Sequence, residues 1–322
     1  MKSWVTKNTG KMKTFELVTQ KRCQLNEFIR QSLPVLLNKE VSNSKIRRLI
    51  VAGSVFVDGR QIRVPSYTVF EGKKVVVEVD EEKLFYEKDN GDIQFELTAA
   101  DVLFEDESII VVNKPAHFPT EATMQADRDN LHAAVVRYLF EKQKTEHPNA
   151  KNPPYAGIMH RLDRDTSGVI LFSKSRAVNA PLHRMFEEHT AQKTYFALCQ
   201  LQKGISVKEG ERFTVDFSMD RISPKSAAAK WGRVSEGKGQ KSRTDFCVKK
   251  VSRDRALIEC RPLTGRTHQI RVHLASAKMP IVGDTLYGGP SAERICLHAY
   301  MLEFTHPVTS EKMCIKADNI GF

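Results

Sequence analysis

From residue 99 onward the chain is a succession of short β-rich runs that follow one another without regular strand-helix-strand alternation. GVILFSK, KTYFALCQL, RTDFCVKKV and ALIECRPL each read as one strand, and VLFEDESIIVVNKP reads as two strands around a polar turn. Helical spacing appears in LHAAVVRYLFEK, with Leu131, Ala134, Val135, Tyr138 and Leu139 inside, and in APLHRMFEEH. Such an order predicts an α+β domain over residues 99–322, built on a largely antiparallel mixed sheet with flanking helices. Residues 203–243 are long, basic and Gly-containing, and are expected to include an extended surface loop.

With 322 residues, 41% of them hydrophobic, the chain can bury a small second core as well. Leu25, Phe28, Ile29 and Leu33 fall at helical spacing until Pro34 interrupts the pattern. In SNSKIRRLIVAG, Ser42, Asn43 or Ser44 can cap a second helix, Ile46, Leu49 and Ile50 form its apolar stripe, and Gly53 suits its C′ position. Asp58-Gly59 between two β-rich runs signals a tight hairpin, and Lys73 to Val79 adds a strand. These residues resemble the S4 RNA-binding fold in Leu49, Ile50, Gly53, Val55, Val57, Gly59 and Glu71-Gly72, with Lys45 in place of an arginine. The predicted organisation is therefore a basic N-terminal arm (1–21), an S4-like module (22–80), a charged linker with an Asn90-Gly91 turn (81–98) and the large domain. Lys45, Arg47, Arg48 and Arg60 bracket the second helix and the hairpin, either as a solvated face or as contacts for RNA phosphates.

Fifty Lys and Arg against 39 Asp and Glu give a formal charge of +11, which favours a polyanion as partner, nucleic acid first. No stretch reaches the roughly 20 apolar residues of a membrane span, and MKSWVTKNTGKMKTF has no apolar signal run, so a cytoplasmic protein is expected. The six cysteines lie far apart without a Cys-x-x-Cys pair, and no Gly-rich phosphate loop is present. Nothing in the sequence calls for a metal or a cofactor.

The most chemically loaded stretch is HRLDRDTSGVILFSKS, His160 to Ser175. Its acids and arginines can simply shape a turn before a strand. A metal set of His160, Asp163, His268 and His273 fails, because five residues separate the last two and neither strand nor helix aligns them. In a third reading one carboxylate is a catalyst that needs a fixed cation to stay ionised in a dry pocket. PLTGRTHQIRVHLASA can supply it: a turn, a cap at Thr267, a helix with Ile270, Leu274 and Ala277 on one side, and Arg271 on another flank.

HRLDRDTSGVILFSKS, RPLTGRTHQIRVHLA with the following PIVGDTLYG, the KTY at Lys193 to Tyr195, and IIVVNKP resemble, in order, the motifs of the RluA-type pseudouridine synthases. The resemblance implies that Asp163 is the essential aspartate and that Arg161 fills the gap left by the flipped nucleotide. It further implies that Tyr195 packs on the uracil and that Arg271 is the basic partner of the carboxylate. Asp165, Thr166 and Ser167 are then loop-shaping residues. The chemistry fits these residue types, since moving a uracil from its N-glycosidic to a C-glycosidic bond needs a carboxylate, an aromatic platform and base flipping.

The chain departs from the family pattern in AHFPTEAT, where His117 stands at a glycine position and Glu121 near the usual histidine, and at Lys278, which replaces a glycine. The expected substrate is large-subunit ribosomal RNA, with transfer RNA as the alternative. A non-catalytic RNA-binding or ribosome-assembly protein is a further alternative, disfavoured because Asp163, Tyr195 and Arg271 are all present.

Overall fold

The computed structural model describes residues 6–9, 12–41, 43–81, 84, 92–122, 128–224 and 229–322. The chain divides into two compact units, the first running to Asn90 with residues 122–128, the second comprising Gly91 to Glu121 and Asp129 to Phe322.

The first unit contains strands β1 (Thr6–Thr9), β2 (Met12–Val18), β3 (Cys23–Gln24), β4 (Val55–Val57), β5 (Arg60–Gln61), β6 (Thr68–Val69) and β7 (Lys74–Asp80), with helices α1 (Leu25–Leu37) and α2 (Asn43–Ala52). Its main sheet has the order β1-β2-β7-β4-β5. The Asp58-Gly59 turn forms as expected: both residues have positive φ, 46° and 80°, and join Val57 to its partner Arg60. Gly53 closes α2 at φ 85°. Leu25, Ile29 and Leu33 of α1, Ile46 and Ile50 of α2, and Val55, Val75 and Val77 of the sheet form one core.

Two expectations for this unit are corrected. Residues 12–18 are not a loose arm: β2 pairs with β7 along its whole length, from Met12 with Asp80 to Val18 with Lys74, and buries Phe15 and Leu17. Pro34 does not end α1, which continues to Leu37. A proline in the last turn forfeits one N–H bond, and the turn that follows buries Leu37. The expected cap Ser42 and the Asn90-Gly91 turn lie outside the described residues.

The second unit is an eleven-stranded sheet with helices against it. Its strands are β8 (Val102–Glu105), β9 (Ile109–Lys114), β10 (Gly157–Ile158), β11 (Ser167–Ser173), β12 (Gln192–Gln200), β13 (Arg212–Arg221), β14 (Trp231–Arg233), β15 (Gln240–Ser252), β16 (Arg255–Pro262), β17 (Leu297–Thr305) and β18 (Lys312–Lys316). The helices are α3 (Leu131–Glu146), α4 (Asn179–Glu187) and α5 (Gln269–Ser276). The order is β14-β13-β15-β16-β12-β17-β11-β9-β8, with β10 added on β11 and β18 on β17. Every pairing is antiparallel except β11 with β17, so the α+β reading holds. No helix among the described residues is long and apolar enough to cross a membrane.

The region 203–243 is not one long loop, because β13, β14 and the start of β15 divide it into shorter connections. Phe213, Val215, Phe217 and Met219 alternate with polar residues along β13, the period of a half-buried strand. Nor is the end of the expected linker free of structure: Leu97 is buried in the core of the second unit, and Phe95 packs edge-on against Phe118.

The parallel junction of β11 and β17 places the HRLDRDTSG loop, because β11 begins where that loop ends. Ser167 lies beside His298 and Gly168 beside Ala299. Gly168 has φ 115°, and a Cβ there would lie 2.1 Å from the Ala299 carbonyl oxygen. Gly168→Ala is therefore expected to destabilise the protein by on the order of 3 kcal/mol. Urea unfolding measures this; a midpoint equal to wild type would mean that the strands separate there at no cost.

Candidate active site

The loop ahead of β11 meets α5 around a cavity of about 490 Å³, the size of a small-ligand site. Asp163, Arg161, Tyr195 and Arg271 all line it. The structure thus brings together four residues spread over more than a hundred positions of sequence. Lys45, Arg47 and Arg48 lie on α2 and Arg60 on β5, in the other unit.

Asp163 keeps about a quarter of its side chain exposed. Arg271 Nη1 is 3.6 Å from its Oδ2, yet the closer bonds of Arg271 go elsewhere. Its Nε donates to Asp284 Oδ2 at 2.7 Å and its Nη2 to Asp284 Oδ1 at 2.9 Å, a two-pronged pair between buried groups. Burial alone would lower the Arg271 pKa, but the bonds and charge of Asp284, with Asp163 adding to them, hold it above its ordinary value. The sequence reading made Arg271 the partner of Asp163 alone and missed Asp284. Its signal stood in PIVGDTLYG, for a guanidinium with almost no exposure needs a carboxylate fitted to both its edges.

His268 joins this group although the sequence reading weighed it only as a metal ligand. It starts α5 at φ 57°, where Thr267 was expected to cap, and no side-chain cap bond forms. The Gln269 amide holds the turn instead, accepting from Thr264 Oγ1 and the Arg266 N–H and donating to the Arg243 carbonyl. His268 Nδ1 lies 2.9 Å from the Tyr287 hydroxyl, whose oxygen accepts the Trp231 N–H at 3.0 Å. The phenol proton is then available to Nδ1, leaving the imidazole proton on Nε2, 3.9 Å from Asp163 Oδ2. Burial, partly opposed by Asp163, lowers the His268 pKa, so the ring faces the carboxylate as a neutral donor.

Tyr195 lies on β12 and is 8% exposed. Burial, and second the charge of Asp163, raises its pKa far above that of an ordinary phenol, so it stays protonated. It offers an aromatic face and a hydroxyl proton, not a phenolate.

The loop itself is fastened from beneath by groups the sequence reading passed over. Lys114, fully buried, donates to the carbonyls of Pro115, Phe118 and Arg164 at 2.7 to 2.9 Å. Thr120 donates to the Leu162 carbonyl and accepts its N–H. Asp165 meets His117 Nδ1 at 3.1 Å, Thr166 is buried, and Ser167 bonds to His298 and Arg294. The departing first motif accounts for two of these contacts. His117 adopts φ 59°, as the glycine it replaces could, and Glu121 pairs with the exposed Arg161 at 2.5 Å. Lys278, also at a glycine position, takes φ 59° and donates its N–H to Ala275.

Residues 108–276 match the family model described as RNA pseudouridylate synthase. The chain is 34% identical over 315 residues to ribosomal large subunit pseudouridine synthase C of Escherichia coli K12, covering 91% of this chain and 88% of that one. The chain belongs to the RNA pseudouridylate synthase family. Another relative, an uncharacterized RNA pseudouridine synthase of Mycoplasma pneumoniae, is 32% identical over 94% of this chain and 91% of its own. Among solved structures, the human RNA pseudouridylate synthase domain containing 4 shares the fold, with a TM-score of 0.51 at 22% identity over 68% of this chain and 88% of that one. Members of the family are isomerases acting on RNA, and the cavity around Asp163 lies within and just beyond the matched segment.

Removing one partner of the buried pair isolates its role. Asp284→Asn should cost about 3 kcal/mol or more of stability, because a desolvated guanidinium loses its counter-charge. Arg271→Met combined with Asp284→Leu should cost clearly less than the sum of the single changes. Additive losses in urea unfolding would mean that the two residues do not act as a pair.

Proposed function

We propose that the chain isomerises uridine to pseudouridine in large-subunit ribosomal RNA, with Asp163 as the catalytic group. The observation that carries this reading is the placement of Asp163 between a guanidinium locked by Asp284 and a neutral imidazole donor, beside the buried ring of Tyr195. The charge of Arg271 offsets the desolvation that a bound nucleotide would impose on the Asp163 carboxylate, which is the group placed for attack or proton removal. Tyr195 supplies the surface for the flipped uracil and a proton donor beside it. Arg161, exposed at the rim, is the side chain that enters the vacated stack once Glu121 releases it.

The ribosomal RNA assignment draws on the similarity to the large-subunit synthase and on the basic first unit. An S4-like docking role for that unit rests on Arg47 and Arg48, exposed on α2, and on Arg60, exposed beyond the hairpin turn. Such a substrate goes with a cytoplasmic location. The reaction as assigned draws on side chains alone.

Asp163→Asn should fold and bind RNA yet release no tritium from 5-tritiated uridine in a large-subunit RNA transcript, because the amide keeps the shape and removes the reacting group. Turnover within about tenfold of wild type would remove Asp163 from its assigned role. Mapping pseudouridines in RNA from cells with and without the gene then identifies the target.

Changing Lys45, Arg47, Arg48 and Arg60 together to glutamine should flatten the log-log salt dependence of RNA binding. Each phosphate that the protein no longer neutralises takes about 0.7 to 0.9 off the slope. An unchanged slope would leave these side chains as a solvated face.

A further inference from the structure

Lys193 is a charge on the cavity wall that the chemistry around Asp163 does not use. Strand β12 carries it two residues before Tyr195, across an irregularity in the pairing with β17 between Thr194 and Tyr195, and both side chains line the cavity. Its Nζ lies 4.8 Å from the centre of the Phe186 ring, and among the described residues no carboxylate or carbonyl accepts a hydrogen bond from it. Glu187, the carboxylate on the same wall, forms no ion pair with it. Burial pulls the lysine pKa down to about 8, which leaves the ammonium predominantly charged at neutral pH.

The neighbouring His160 repeats the pattern. Its Nε2 accepts the Leu171 N–H at 3.0 Å, so its proton sits on Nδ1, which has no acceptor among the described residues. Burial, reinforced by the charge of Lys193, keeps this imidazole neutral, and its ring lies 4.6 Å from that of Phe186. His160 Nδ1 is thus a buried donor without an acceptor, and the partly buried Lys193 ammonium lacks one beside the same cavity. A ligand that brings the acceptor supplies what is missing. Arg271 makes the contrast plain: its charge is already matched by Asp284, whereas that of Lys193 is matched by nothing among the described residues.

The shared cavity indicates which acceptor. A lysine and a tyrosine that line one cavity from neighbouring positions of one strand can hold the phosphate and the base of a single nucleotide. We propose that Lys193 anchors the phosphodiester flanking the flipped uridine while Tyr195 holds its base. The site then recognises a nucleotide within a strand, and the phosphate completes the partnering of Lys193 only when the base has left the stack. This inference rests on the base-flipping reading of Asp163 and Tyr195.

The test uses the full chain and a short RNA around the mapped target uridine, with a methylphosphonate replacing the phosphate on its 5′ or its 3′ side. Lys193→Met should weaken binding of the unmodified RNA about tenfold or more, the range of one charge-assisted hydrogen bond, and Lys193→Arg should recover most of the loss. On one of the two modified RNAs wild type should lose a similar factor and Lys193→Met nothing further. Lys193→Met should also melt no lower than wild type, as expected when an unmatched charge is removed; a lysine with a purely structural role would lower the melting temperature. Losses that multiply on both modified RNAs overturn the assignment. So does a wild-type protein indifferent to methylphosphonate on both sides, a result that needs no variant to fold. If wild-type protein releases no tritium from the unmodified RNA, or Asp163→Asn does, the catalytic reading fails instead.

Discussion

A guanidinium buried to 5% exposure must be neutralised where it lies, and Arg271 is held by both oxygens of Asp284 before it reaches Asp163. That pair fixes the geometry of everything beside it. Because Nε and Nη2 are engaged, only Nη1 can turn toward the Asp163 carboxylate, at a distance that leaves it a quarter exposed. A tighter bond to Asp163 would fix the carboxylate and tie up its lone pairs. Asp284 therefore confines the cation to an electrostatic part, and the neutral His268 adds a donor without a second positive charge.

The carboxylate must be held as firmly as its counter-charge, and the means are different. Asp163 lies on a loop, which is ordinarily the mobile part of a fold. Here the loop's backbone is bonded on both sides of the aspartate, through Leu162 by Thr120 and through Arg164 by Lys114. Its exit is set by Gly168, which permits β11 to run close beside β17 where the sheet turns parallel. Lys114 and Thr120 come from the strand and loop of the first motif, so IIVVNKP serves the site by supporting the chain rather than by touching the cavity.

The sequence made much of this legible, and the omissions have a common cause. Hydrophobic spacing located the helices, half of the strands and the Asp58-Gly59 turn, all of which depend on neighbours within a few residues. The pairing of β2 with β7 and of Arg271 with Asp284 depends on residues far apart or on the far side of a turn. Along the chain, MKTFELV looked like part of a lysine-rich arm, and Asp284 like an ordinary residue in a glycine-flanked loop. β13 is the exception, since Phe213, Val215, Phe217 and Met219 do alternate and only the surrounding glycines and lysines hid them. Long motifs pointed to Asp163, Tyr195 and Arg271, which the fold brings to one cavity; what holds each of them became visible only in three dimensions.

Three of the cations that line the cavity, Arg271, Arg161 and Lys193, differ in the state of their partners, and that difference orders their parts. Arg271 has its full complement in Asp284 and so acts by position, equally before and after RNA arrives. Arg161 is exposed and paired with Glu121, an ion pair of the kind worth at most about 1 kcal/mol, so RNA can displace it at little cost. Lys193 has no acceptor at all among the described residues, and under the proposed assignment its interaction is the one that substrate completes. The groups that must not move are locked by the protein, and those that must respond to RNA are left for RNA to satisfy. An enzyme that has to remove a base from a stack needs this asymmetry, since energy released on the flanking phosphate is available only in the flipped state and so favours flipping over binding of the stacked strand.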